Sequence, residues 1–262
     1  MLGKIMKHEF KSTYRIFVPI YIGLALLILA GCLFIQLLKH YNSTPLTVIS
    51  GFGIILLVFG IIFVFISPYI FLSMRFYKTT ATREAYLTFT IPAETHQILL
   101  GKFIVSFAWT LATLILAYFS ITILFAAGGT NVKDMFRFLF NGKNELMVIQ
   151  IFSFLLSCAL SILQIFTSIS LGQLVRDHRI IASLAFYAAL YTIQQIISIV
   201  AILPFMITEI AKDMSAGMET FGMSVSTQTG GMPYQVYLFS IVLSVVFSIV
   251  FLFLSNYILK KK

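Results

Sequence analysis

Charged side chains cut this sequence into six long apolar stretches. Residues 16–38, 41–74, 103–132, 146–175, 180–208 and 220–259 contain no Asp, Glu, Lys or Arg. Each is rich in Leu, Ile, Phe and Val and is at least as long as the roughly 20 residues an α-helix needs to cross a hydrocarbon core about 30 Å thick. Those side chains favour insertion by roughly 0.3–0.6 kcal/mol apiece, so a stretch holding about a dozen of them gains several kcal/mol in lipid. The pattern predicts an all-α polytopic membrane protein, a single transmembrane domain over 1–262. Its six helices are expected near 16–38, 49–74, 103–127, 147–175, 180–207 and 234–259.

The segments between these stretches are short and patterned. Leu2, Ile5, Met6, Phe10, Thr13 and Phe17 recur at helical spacing, while Lys4, Lys7, Lys11 and Arg15 take the other face. A basic amphipathic helix of that kind lies in the headgroup plane with its lysines on anionic lipid. Residues 1–15 are therefore expected to form an elbow helix ahead of the first span, either as an anchor alone or also as a contact for a cytoplasmic partner. The longest of the segments assigned to the cytoplasmic side is 75–102. Within it Arg83-Glu84-Ala85-Tyr86-Leu87 has helix-forming composition, and Thr88-Phe89-Thr90-Ile91 reads as extended ahead of a proline. Pro92 and Glu94 mark a fresh helix start that feeds span three. Spans four and five are joined by the charged turn Arg176-Asp177-His178-Arg179, and Pro68 and Pro204 are expected to shape helix ends. Leu29-Ala30-Gly31-Cys32 resembles a lipoprotein cleavage site, but Leu33-Phe34-Ile35 continue the apolar run beyond the cysteine, so span one is expected to be retained.

A content of 60% hydrophobic and 10% charged residues excludes a soluble globular domain. The net charge of +9 is a topology signal, because the basic residues are unevenly shared. Lys4, Lys7, Lys11, Arg15, Arg75, Lys78, Arg83, Lys102, Arg176, Arg179, Lys260, Lys261 and Lys262 fall on one side when the spans alternate; Lys39, Lys133, Arg137, Lys143 and Lys212 fall on the other. The positive-inside rule then places both termini in the cytoplasm. A nucleic-acid partner is not expected. Cys32 and Cys158 both lie within spans and cannot staple an extramembrane domain.

No span carries a central Asp, Glu, Lys, Arg or His, the groups that usually mark ion pathways and proton relays in membranes. No pair of His, Cys or carboxylates has metal-ligand spacing. A phosphate-binding loop needs an earlier glycine and a Ser or Thr after Gly-Lys; Gly3-Lys4, Gly101-Lys102 and Gly142-Lys143 have neither. The chain is thus expected to bind no cofactor and to be no enzyme itself, any ATP being held by a separate subunit. What remains is polar patterning on helix faces. Gln150, Ser153, Ser157, Ser161, Gln164 and Ser168 are spaced three, four, four, three and four, which puts them on one narrow face of span four. Ser106, Thr110, Thr113, Ala117 and Ser120 make a milder stripe on span three. Such stripes either let membrane helices pack closely or line a substrate path.

Taken together, these features resemble the permease subunit of a bacterial ATP-binding cassette (ABC) exporter of the type-2 class. The resemblance rests on Met6-Lys7-His8-Glu9-Phe10-Lys11 running into span one, and on Arg83-Glu84-Ala85-Tyr86-Leu87-Thr88-Phe89-Thr90-Ile91-Pro92 ahead of span three. Ile91-Pro92 stands where Leu-Pro or Met-Pro is usual in such permeases. The resemblance implies a multi-pass protein of a bacterial cell membrane that pairs with a second permease chain, identical or related. Each chain would dock a cytoplasmic ABC ATPase carrying ATP and Mg. Its coupling contacts would be Arg83, Glu84, Tyr86, Leu87, Phe89, Pro92 and Glu94, with Lys4, Lys7, Phe10 and Lys11 in the elbow. The same 82–93 region could instead pack on its own helices. An uncharged path fits an amphipathic or hydrophobic cargo such as an antimicrobial peptide. A secondary carrier or channel, and a membrane immunity or scaffold protein that sequesters a peptide, are the alternatives of other classes.

Overall fold

The computed structural model describes residues 2–40, 44–81, 94–129, 144–175, 178–219 and 234–260. They form six helices: α1 (Leu2–His40), α2 (Thr44–Ala81), α3 (Thr95–Gly128), α4 (Asn144–Gly172), α5 (Arg179–Glu219) and α6 (Tyr234–Lys260). All six are long and apolar enough to cross a membrane, and the protein is an all-α polytopic membrane protein. Contacts divide the chain into two compact units, Met1–Asn141 and Gly142–Lys262.

In the first unit α1 packs on both α2 and α3, and α2 packs on α3. The pairings fix the directions. Glu9 meets Lys102, Phe17 meets Trp109 and Tyr21 meets Thr113, so α1 and α3 run parallel. Glu9 meets Arg75 and Phe17 meets Phe71, so α2 runs antiparallel to α1. Farther along, Gly60 lies against Leu27 and Gly31 against Leu57; a methyl group on either glycine would collide with the facing leucine. Small residues at these crossings let α1 and α2 approach closely, which is how helices associate where lipid supplies no hydrophobic drive. An apolar cleft of about 240 Å³ between α1 and α2 is lined by Leu27, Ala30, Gly31, Phe34, Gly53, Leu56 and Leu57.

In the second unit α4 is the shared element, packed on α5 and on α6. Thr167 donates to the carbonyl of Phe251 at 3.0 Å, and the hydroxyls of Ser170 and Ser255 lie 3.2 Å apart, so α4 and α6 run parallel. The turn into α5 is tight. A Cβ on Gly172 would stand 2.6–2.7 Å from Ser183 Cβ, Cα and N, so only glycine admits this approach of one backbone to another.

Three features differ from the sequence expectation. Residues 2–15, expected as an elbow helix ahead of the span, and the span itself form the one helix α1, with Pro19 inside it. No glycine or proline interrupts residues 4–18, and Thr13 and Phe17 are fully buried on the same face, so the helix continues through the boundary. Second, α2 extends to Ala81, so the beginning of the expected 75–102 segment is helical, while α3 starts at Thr95, close to the helix start expected at Pro92 and Glu94. Third, Pro68 and Pro204 lie inside α2 and α5 and end neither helix. A proline removes the donor to the carbonyl four residues earlier. At Pro68 that carbonyl, Val64 O, is met instead by the Ser67 hydroxyl at 2.8 Å, the local repair that lets membrane helices hold prolines.

Candidate functional site

The most concentrated chemistry in the first unit lies where the start of α1, the end of α2 and the start of α3 converge. Glu9 points from α1 towards both neighbours. Its Oε2 accepts from Arg75 Nε at 2.8 Å and lies 2.7 Å from Arg75 Nη2, a two-point contact. Its Oε1 accepts from Lys102 Nζ at 2.8 Å. The same ammonium donates to Thr79 Oγ1 at 2.8 Å, and Arg75 Nη1 donates to Ser12 Oγ at 2.6 Å. Lys102 is buried, with only 6% of its side chain exposed, and Glu9 and Arg75 are at 13% and 19%. One carboxylate thus binds two cations from two other helices, and one ammonium touches all three helices.

Next to this network lies an aromatic stack. Trp109 of α3 is sandwiched between Phe10 and Phe17 of α1, at ring centroid distances of 4.8 and 4.7 Å with interplanar angles of 17° and 13°. The two phenylalanines are seven residues apart and so share a helix face. Tyr21 is tilted against Trp109 at 6.0 Å, and its hydroxyl shares a 2.8 Å hydrogen bond with Thr113. Phe17, Leu72, Val105 and Trp109 form the buried cluster at the centre. Trp109 Nε1 is buried there with no hydrogen-bond partner.

The sequence-predicted residues fare unevenly. Arg83, Glu84, Tyr86, Leu87, Phe89 and Pro92 lie outside the described residues. Glu94 is the N-cap residue of α3 but makes no side-chain cap; its carbonyl accepts from the Gln97 and Ile98 amides, and its carboxylate lies 3.1 Å from His96 Nδ1. Lys4, Lys7 and Lys11 are exposed along α1, while Phe10 is half-exposed and stacks on Trp109. Glu9, Arg75 and Lys102 were not singled out from the sequence as a site. One signal was present: Glu9 is the only acid in the first 83 residues, set among lysines.

The two polar stripes separate. On α3, Ser106, Thr110, Thr113, Ala117 and Ser120 are all buried. Each hydroxyl donates to a carbonyl of its own helix, Ser106 to Lys102, Thr110 to Ser106, Thr113 to Trp109 and Ser120 to Leu116. Hydroxyls satisfied in this way can be buried without a partner on another helix, so this stripe is packing surface. On α4, Gln150 and Ser157 are exposed, and Ser153 and Ser161 are partly so. Gln164 and Ser168 are buried, and Gln164 Nε2 has no hydrogen-bond partner. The hydroxyls that reach across to α6, Thr167 and Ser170, lie beside the stripe and not on it.

Among the described residues no group of three or more His, Cys, Asp or Glu could hold a metal ion. No protein-family model, curated protein or solved structure matches this chain.

Proposed function

We propose that this chain is the membrane permease subunit of an ATP-driven ABC exporter. In this reading it works with a second permease chain and a separate cytoplasmic ATPase that carries ATP and Mg. The observation that carries the reading is the ionic network at the root of the 82–93 segment. A subunit driven from the cytoplasm must receive force near the α2–α3 connection, and the network ties together α1 and the two helices on either side of it. The basic excess on that side and the six uncharged spans agree with it. Glu84 and Arg83 would make charge-assisted contacts to the ATPase, and Tyr86, Leu87 and Phe89 would fill an apolar socket on it. The exposed half of the α4 stripe, Gln150 to Ser161, supports a path for an amphipathic or hydrophobic cargo, a peptide included.

Capture of the chain from its native membrane in gentle detergent tests this directly. The expected result is co-purification of a cassette-type ATPase, reduced at least tenfold by Glu84→Lys, a change of about 1.4 kcal/mol in affinity. A chain that reproducibly comes down alone, or only with a peptide, would remove the exporter reading in favour of a carrier or a sequestering scaffold.

A further inference from the structure

Two glutamines in the second unit carry buried polar atoms that nothing meets. Gln164 on α4 is 3% exposed, and its Nε2 has no hydrogen-bond partner. On α5 the buried Oε1 of Gln194 likewise has none. The neighbouring Gln195 shows the ordinary solution, since its Nε2 donates to the Tyr191 hydroxyl on the same helix at 2.8 Å. The stripe hydroxyls on either side of Gln164 donate within α4 itself, Ser161 to the carbonyl of Ser157 and Ser168 to that of Ile165.

The close approach of Gly172 to Ser183 sets the register of α4 against α5. Gln194 lies 11 residues beyond Ser183, about three turns on, and so returns to the α5 face that meets α4. Ser161 lies 11 residues before Gly172, so Gln194 comes level with it and within about 5 Å of Gln164 along the axis. The two glutamines thus stand at one height on two packed helices, where the exposed half of the α4 stripe gives way to the buried half.

One of them offers an N–H and the other a C=O. A group that satisfies both must bring an acceptor and a donor, and must be uncharged, since neither carboxamide balances a charge. An amide carries the two on different atoms, as suits partners on different helices. We propose that Gln164 and Gln194 bind a secondary amide of the cargo, the peptide bond of a hydrophobic peptide. Its carbonyl accepts from Gln164 Nε2 and its N–H donates to Gln194 Oε1. The inference rests on the exporter reading above and adds to it what the cargo must present. Polar side chains that served packing alone would bond across the helices, as Thr167 and Ser170 do to α6.

For the test, the full chain is placed in lipid nanodiscs without any ATPase. Binding of N-acetyl-leucyl-leucine methylamide is measured by equilibrium dialysis against empty nanodiscs. Three counterparts, each with one amide N–H replaced by an ester oxygen, are measured in the same way. Wild-type protein is expected to bind the parent peptide at least tenfold more tightly than one of these esters. Gln164→Met and Gln194→Met keep side-chain length and remove the hydrogen-bonding groups. Both are expected to bind the parent at least tenfold more weakly, with thermal stability unchanged or raised. In Gln194→Met that ester is expected to bind at least as well as the parent, because the acceptor for the missing N–H is gone. Wild-type protein that binds all four compounds alike, or none, overturns the inference. So do variants that bind the parent as wild type does, or that lose stability, since the carboxamides then serve the helix pair. The comparison of peptide with ester on wild-type protein needs no variant and decides even where one fails to accumulate. All of these outcomes leave the exporter reading to the capture of the ATPase; binding with a failed capture keeps the site and removes the exporter.

Discussion

Glu9 is the residue on which the first unit turns, because two cations from other helices depend on it. Removing one partner of a buried ion pair typically costs about 3–5 kcal/mol, since the remaining charge stays buried and unmet. Here the cost of Glu9→Gln falls on both Arg75 and Lys102, which would then face each other with like charge. Replacing an exposed charge on the same helix, as in Lys7→Gln, is expected to stay within about 0.5 kcal/mol. Thermal unfolding in detergent, followed by Trp109 fluorescence, should therefore show a clear loss of stability for Glu9→Gln and little change for Lys7→Gln. Equal stability of the two variants would mean that the network contributes nothing to holding the helices together. A swap of all three charges for apolar side chains is a different experiment, and such replacements are often neutral or stabilising. Comparing the two experiments separates the cost of an orphaned charge from the net contribution of the network.

At the scale of the element, each helix shows how polar groups are managed where water is absent. The Ser67 hydroxyl takes over the carbonyl that Pro68 leaves without a donor. In Ser67→Ala that buried carbonyl loses its partner, at a cost of about 1–3 kcal/mol. In Pro68→Ala the backbone amide returns, so the serine becomes dispensable. A double-mutant cycle on these two residues should give a coupling of about 1 kcal/mol or more; independent effects would show that Val64 is satisfied some other way. On α4 the stripe should divide at Ser161. Ser157 is exposed, so Ser157→Leu is expected to leave the yield of folded protein unchanged and, on the proposed exporter reading, to alter cargo-stimulated ATP hydrolysis by the complex with the ATPase. Ser168 is 2% exposed, and extra methylenes in a packed site cost about 1–3 kcal/mol, so Ser168→Leu should lower yield. If Ser157→Leu lowers yield equally, the stripe is packing surface along its whole length. The span-three stripe already answers as packing, because every hydroxyl on it is both buried and bonded within its own helix.

Over the whole molecule, the six helices are legible in the sequence because insertion free energy sums over about 20 residues and leaves no ambiguity in so apolar a chain. Their ends are less legible. Residues 75–81 look polar enough to be loop, yet they are helical, and Lys102, on the helix that the sequence does announce at Pro92, is buried against Glu9, 93 residues away in sequence. No periodicity reveals such a pairing. The same limit hides the joining of residues 1–15 to the span, which depends on Phe10 and Phe17 finding Trp109 on another helix. What the charge pattern does capture is relative placement: Arg75 and Lys102, assigned to one side from the spans alone, meet at one end of the first unit. The basic excess predicts which membrane face that end occupies, and labelling at Lys7 measures it; labelling on α5 tests the same rule independently in the second unit. This helix has 41 residues, about 62 Å at 1.5 Å per residue, roughly twice a 30 Å hydrocarbon core. Thr208 lies 29 residues beyond Arg179, about 43 Å along the axis, and so should emerge opposite it. In a background of Cys32→Ser and Cys158→Ala, Thr208→Cys is expected to react with a membrane-impermeant maleimide in intact cells. Lys7→Cys and Lys260→Cys should react only after permeabilisation. The opposite labelling would invert the molecule in its membrane and place the 82–93 segment where no cytoplasmic ATPase could reach it.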